Sequence, residues 1–198
     1  MAGATDILIP FVELKGVSKS YAGVRALQDV DFACRRGSIH AVLGENGAGK
    51  STLIKIMAGV VEPTAGTLTV EGAEQRFKSP SEAATAGIVC VFQELSLMPD
   101  LTVADNISIA DPPRNRLGLI DRAAQRRRAE ALLARIHCED VDPRALVRDL
   151  SLSRRQMVEI AKALGKDPKL LILDEATSAL TARDVETVYR VLAELREA

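Results

Sequence analysis

The stretch "GENGAGKS", residues 44–51, decides how this chain has to fold. It spells G-x-x-x-x-G-K-S, in which glycines let successive backbone N–H groups curl round phosphate oxygens that a Cβ would obstruct. Such a loop works only between a buried strand and the start of a helix. Both are expected here. The compact apolar run Ile39 to Leu43 reads as the strand. From Lys50 onward, Leu53, Ile56, Met57 and Val60 recur at i, i+3, i+4 and i+7, and Gly59 stands near the end as a stop. The helix N-terminus adds its dipole and unpaired donors. Gly44, Glu45, Asn46, Gly47, Ala48 and Gly49 then cradle phosphate through their backbone. Lys50 brings charge to the β- and γ-phosphates, Ser51 offers a hydroxyl to Mg²⁺, and Thr52 makes a secondary contact at the α-phosphate.

Outward from the loop, the next chemical element is "LLILDE", residues 170–175. Four apolar residues predict a buried parallel strand, and Asp174 at its C-terminal end meets the crevice where an open α/β sheet binds ligands. There Asp174 can hold the Mg²⁺ shell while Glu175 polarises an attacking water. Between loop and carboxylates the patterning divides. "FVELKGVSKSY", "DFACRRGSIHAVLG" and "TLTVEG" are strand-rich, "EPTAG" is a turn, and "SPSEAATAG" reads as a capped short helix feeding the buried strand "IVCVF". From about Glu94 to Gly165 the pattern is mostly helical. "TVADNI" is short, and "DRAAQRRRAEALLARI" is long, with Asp121 as N-cap. Within it, Arg126 to Arg128 reads as a solvated face. A last helix covers "ARDVETVYRVLAELREA". The fold expected is an α/β core, residues 1–93 and 166–198, with a helical subdomain inserted at 94–165.

Composition narrows the function classes. The 198 residues are 47% hydrophobic and 27% charged with a formal net charge of -1, which fits a globular chain and gives no field for nucleic acid. Cys34, Cys90 and Cys138 stand far apart, without a CxxC pair or metal-ligand spacing, as expected of buried or inert thiols in a reducing compartment. "MAGATDILIP" lacks the features of a signal peptide, and no apolar run approaches the ~20 residues of a membrane helix.

Taken with these motifs, the sequence resembles the ATP-binding subunit of ABC transporters over nearly its whole length. "GENGAGKSTLIKIMAG" is similar to their Walker A segment, "VFQE" to their Q-loop, and "LLILDEATSAL" to their Walker B and D-loop. The resemblance implies a P-loop NTPase fold, with a RecA-like core, an antiparallel β subdomain and an inserted helical subdomain. It implies that Gln93 contacts Mg²⁺ and the attacking water, that Tyr21 stacks on adenine, and that Glu175 is the general base. "QMVEIAKAL" and "EATSALT" look like the bacterial branch that serves monosaccharide importers of the ribose, xylose and galactose type. In that branch two ATPase domains commonly share one polypeptide, and this chain corresponds to the N-terminal one. The implied partners are transmembrane permease subunits, a second ATPase domain, and indirectly a periplasmic or lipoprotein sugar-binding protein. The implied place is peripheral, at the cytoplasmic face of the membrane.

Two departures accompany the resemblance. The family signature L-S-G-G-Q reads here Leu150, Ser151, Leu152, Ser153, Arg154. Ser151 and Ser153 are the expected contacts to ATP held by the opposing domain. Arg154 either adds charge toward phosphate or weakens the γ-phosphate contact made by the usual glutamine. The helix behind it shows an apolar stripe, Met157, Ile160, Ala161 and Leu164. An Arg155–Glu159 pair, a Ser153–Gln156 capping box and a stop at Gly165 complete its expected features. The sequence also reaches Ala198 before a strand carrying the family's switch histidine, and His40 and His137 read as packing or surface residues. The 198-residue segment alone is therefore expected to bind nucleotide weakly and turn over little. Rival classes fit less well. A GTPase would carry N-K-x-D, a DNA-repair ATPase a long coiled coil beyond Gln93, and a translation-associated ATPase a charged linker and an intact signature. An ATP-dependent dimerisation module without turnover would not need Lys50, Asp174 and Glu175 together.

Overall fold

Two residues in the left-handed region set the first hairpin. In the computed structural model, which describes residues 9–176 and 180–197, β1 (Val12–Tyr21) turns into β2 (Val24–Cys34) through Ala22 and Gly23, at φ 42° and 91°. Two positive φ values in a two-residue loop match the twist of antiparallel strands. β3 (Ala65–Val70) and β4 (Ala73–Gln75) complete an antiparallel sheet in the order β2-β1-β3-β4. Val12 and Leu14 are buried, and a register shift before Val17 passes the inward role to that odd-numbered residue. An extra residue in one strand reverses the parity of the faces.

α1 (Lys50–Met57) follows the phosphate loop and buries Leu53, Ile54, Ile56 and Met57. It ends in a Schellman motif, with Gly59 N–H donating to Ile56 O at 3.1 Å and Val60 N–H to Lys55 O at 2.8 Å. Gly59 has φ 70°, and a Cβ there would lie 2.6 Å from the carbonyl oxygen of Ser79. Val60 thus stands past the stop and is exposed, so the apolar stripe is one residue shorter than its periodicity suggests. α2 (Pro80–Thr85) is N-capped by Ser79, which accepts from Glu82 N–H, while the Glu82 carboxylate accepts from Lys78 N–H.

The expected strand at residues 39–43 does not form. These residues join no ladder, and Leu43 is 88% exposed. An apolar run becomes a strand only where a neighbour takes its backbone donors and acceptors, and among the described residues none pairs with this one.

Contacts divide the chain into two compact bodies, one ending at Ile88 and taking in the chain end from Arg196, the other spanning Val89–Leu195. β5 (Ile88–Val91), whose last three residues open the second body, pairs with β6 (Leu170–Leu173). β6 is half-buried along its length rather than fully buried. Among the described residues β5 is its only ladder partner, and Leu171 and Leu173 reach the helical core on one side. That core joins α3 (Val103–Ile107), α4 (Arg122–Arg135), α5 (Leu152–Leu164) and α6 (Ala182–Glu197). The α5 stripe is buried as expected at Met157, Ile160, Ala161 and Leu164. Thr102 caps α3 by accepting from Asp105 N–H. Asp121 caps α4 by accepting from Ala123 and Ala124 N–H at 3.0 and 2.9 Å, a contribution of about 1 kcal/mol.

Arg128 departs from the solvated reading. Its guanidinium donates to Gly165 O at 2.7 Å and Asp111 O at 3.0 Å, tying α4 to the end of α5. Arg155 likewise does not pair with Glu159; it donates to Leu150 O at 2.9 Å and Arg148 O at 2.7 Å. Burial raises the thiols of Cys90 and Cys138, to about 12 and about 11. α4 also ends in a Schellman motif, but with His137 at φ 52° in the position glycine favours. His137 is exposed and Cys138 behind it is fully buried. Replacing His137 by Gly removes a left-handed strain of about 1 kcal/mol. A raised thermal midpoint is the expected result, and a lowered one would show that the histidine ring contributes packing.

Candidate nucleotide site

The phosphate loop is built by backbone geometry. Gly47 and Gly49 hold φ 87° and 88°, and Gly49 is the N-cap of α1, with no side chain closing that end. The first amides of a helix have no intrahelical acceptor, so this end keeps its donors for an anion. A Cβ on Gly49 would lie 2.5 Å from Leu27 Cδ2 and 2.6 Å from Ala26 O, so the loop is seated directly on β2. Lys50 Nζ donates to Gly44 O at 2.6 Å and Glu45 O at 2.8 Å, which folds the ammonium over the loop. An ammonium has three donors, and these two bonds leave one for phosphate. Glu45, Asn46 and Ala48 are exposed within the loop, as are Gly44 and Ser51, and Thr52 is half-buried in the first turn of α1.

Tyr21 ends β1 beside the hairpin turn and is 42% exposed, with Lys19 Nζ 5.2 Å from its ring centroid. His40 bonds Ser38 Oγ at 3.0 Å and meets Phe32 edge-on, a surface packing role as expected.

The second body carries the carboxylates and the glutamine. Asp174 N–H donates to Val91 O at 2.9 Å, extending the β5–β6 ladder by one rung. That rung sets Asp174 opposite Val91, which precedes Gln93 by two residues, and Gln93 is exposed in the bend after β5. The Asp174 carboxylate also raises the Cys90 thiol, after the larger effect of burial. Glu175 is exposed and held at φ 51°. A non-glycine residue in that region costs about 1–2 kcal/mol, and such strain concentrates at functional positions. Of the D-loop stretch, residues 177–179 lie outside the described residues.

At the signature, the cap is Ser151, whose Oγ accepts from Arg154 N–H at 3.3 Å. The expected capping box at Ser153 and Gln156 is therefore corrected, because the helix starts one residue before Ser153. Ser151 is exposed, and accepting a bond leaves its O–H free to donate. Ser153 is different. Its one O–H donates to Asp184 Oδ2 at 2.6 Å, so the donor expected to face a nucleotide is held inside its own domain. Arg154 is held in the same way, with Nη1 donating to Asp184 Oδ1 at 3.0 Å and Nε 2.9 Å from Asp140 Oδ2. Two carboxylates thus neutralise the charge that was one option for phosphate. Thr181 Oγ1 donates to Asp184 Oδ2 at 2.7 Å and accepts from Asp184 N–H at 3.2 Å. The Ser153 bond first, then the Thr181 bond and the Arg154 charge, hold the Asp184 carboxyl below the usual range despite its burial.

Sequence reasoning missed Asp184 and a second tie. Thr181-x-x-Asp184 was visible as a cap pattern, but nothing in the sequence joined it to Ser153 and Arg154. The second tie is Glu159, which accepts from Ser96 Oγ at 2.5 Å and Ser96 N–H at 3.2 Å and so anchors the chain three residues after Gln93 to α5. Lys162 and the buried Asn106 fix the same segment through Ser96 and Met98.

Comparison with known proteins gives the family and the fold. The ABC transporter family profile matches residues 27–178. The ribose import ATP-binding protein RbsA 1 of Mesorhizobium japonicum is 62% identical over 191 residues, covering 96% of this chain and 37% of that protein. The chain therefore spans little more than a third of that relative's length. Among solved structures, a nucleotide-free ATP-binding cassette from an ABC transporter superposes with a TM-score of 0.82 at 23% identity, over 95% of this chain and 78% of that one. A dimeric cassette in a post-hydrolysis state bound to ADP and phosphate gives 0.81 at 28% identity, over 94% and 83%. The fold is that of the P-loop NTPase cassettes, mixed α/β with an antiparallel sheet.

Proposed function

This chain belongs to the ABC transporter family, and on that premise we propose that it binds and hydrolyses ATP to drive sugar import through a separate membrane permease. The observation that carries the reading is the loop itself, two left-handed glycines at an uncapped helix start with Lys50 folded over them. The similarity to a ribose import protein supports the sugar class.

The phosphates of ATP lie over residues 47–51, with Gly44, Glu45, Asn46 and Thr52 completing the cradle, and adenine stacks on Tyr21. Mg²⁺ suits the oxygen donors of Ser51, Gln93 and Asp174, which are of the hard type it prefers; when bound, it neutralises charge on the transferred phosphoryl group. Glu175 accepts a proton from the attacking water as its oxygen bonds to the γ-phosphorus and the bond to the bridging oxygen breaks. Lys50 holds the charge that develops. Ser151 serves ATP on a second ATPase domain by donating its O–H, while Ser153 supports the helix start instead. Residues 94–165 act as the helical subdomain on the core of 1–93 and 166–198, with Gln93 at the joint. The protein works peripherally at the cytoplasmic face, and a sugar-binding protein acts through the permease. Among the described residues no helix is long and apolar enough to cross a membrane.

Lys50→Ala tests the cradle. Equilibrium binding of Mg-ATP should weaken at least about tenfold, in line with a charge-assisted phosphate contact. Unchanged affinity would remove the loop from the nucleotide site.

A further inference from the structure

We propose that Asp184 is a positioning residue that locks the start of α5 to the start of α6 and so fixes the atypical signature in its donor geometry. The proposal rests on the reading of Ser151 as a donor to ATP on a second domain. Its basis is one buried carboxylate, 8% exposed, that takes donors from both helix starts. From the α5 side come Ser153 Oγ and Arg154 Nη1, and from the α6 side comes Thr181 Oγ1. Ser153 and Arg154 are two of the three positions where the motif departs from L-S-G-G-Q, Leu152 being the third, and both point their polar atoms at Asp184.

The departures therefore act together. A glycine and a glutamine would leave the first turn of α5 to the Ser151 cap and the bonds of Arg155 to Leu150 O and Arg148 O. Serine and arginine add two charge-assisted bonds, which are about twice as strong as neutral ones. Asp140 balances the remaining charge on Arg154 from the loop after α4. Thr181 follows the carboxylates Asp174 and Glu175 by a few residues, so the lock joins the donor edge to the segment leaving the catalytic strand.

The test uses the complete natural polypeptide carrying this segment, assembled with its permease. Asp184→Asn keeps the shape and removes the charge. Turnover should fall about tenfold with KM for ATP within about twofold, a size usual for residues sharing one network. In the nucleotide-free protein, amide exchange of residues 152–156 should quicken about tenfold. In the S153G/R154Q background the same substitution should change both readouts less than about twofold, because its partners on α5 are gone and only Thr181 on the α6 side remains. Wild-type exchange in Asp184→Asn overturns the proposal, as does equal loss of turnover in both backgrounds or faster exchange without loss of turnover. Should Asp184→Asn not fold, Arg154→Gln approaches the lock from its more exposed side and must quicken exchange in the same amides; unchanged protection overturns the lock. If the assembled wild-type protein does not hydrolyse ATP, the ATPase reading falls instead, while the exchange measurement still judges the lock.

Discussion

Glu175→Gln lowers single-turnover hydrolysis of ATP held on this domain by about 10²- to 10⁴-fold, the range a positioned general base supplies. Glutamine keeps the size of the side chain and its ability to orient water, and loses only the capacity to take a proton. Binding of Mg-ATP should remain, because the cradle is formed by backbone from Gly44 to Gly49 and by Lys50. The left-handed backbone at Glu175, φ 51°, is strain that the fold retains at the end of β6, and substitution by Gln preserves it. A loss of binding together with hydrolysis would show that Glu175 shapes the site, and unchanged hydrolysis would pass the base to another residue.

Gly49→Ala produces the second large effect, on stability and binding together. The added methyl would sit 2.6 Å from the backbone oxygen of Ala26 and 2.5 Å from Leu27 Cδ2, at φ 88°. Backbone cannot swing aside as a side-chain end can, so left-handed strain and overpacking add to about 2–5 kcal/mol. Against a total stability of about 5–15 kcal/mol this is a large share. Gly47→Ala is the internal control. It has φ 87°, but a methyl added there would meet nothing within 4 Å, so it carries only the conformational cost of about 1–2 kcal/mol. Denaturant midpoints should rank wild type, then Gly47→Ala, then Gly49→Ala. Equal losses in the two variants would show that β2 yields to the loop.

Local chemistry made much of this structure legible. The α1 stripe, the caps at Ser79 and Asp121, and the buried face of α5 follow from local rules that any helix must obey. Residues 39–43 failed because hydrophobicity marks a strand's interior but cannot supply its ladder partner. Val60 failed for a simpler reason: periodicity continued one step past the glycine that stops the helix. The site divides in the same way. The phosphate loop can be read from glycine spacing, since its geometry is local, and the carboxylate pair can be read from the apolar run before it. Ser153, Arg154 and Glu159 could not be placed, because their partners Asp184 and Ser96 lie 31, 30 and 63 residues away. A helix surface drawn from sequence offers such side chains to solvent or to i+4 neighbours. The fold instead gives each a distant partner.

The central claim, that ATP hydrolysis on this chain drives sugar import, is tested most directly in proteoliposomes. They would hold the complete polypeptide and its permease, with the sugar-binding protein added outside. Hydrolysis should rise when that protein is loaded with ribose or a related monosaccharide, with sugar accumulating inside, and both responses should vanish in Glu175→Gln. Hydrolysis indifferent to every sugar offered, with no accumulation, would contradict the account.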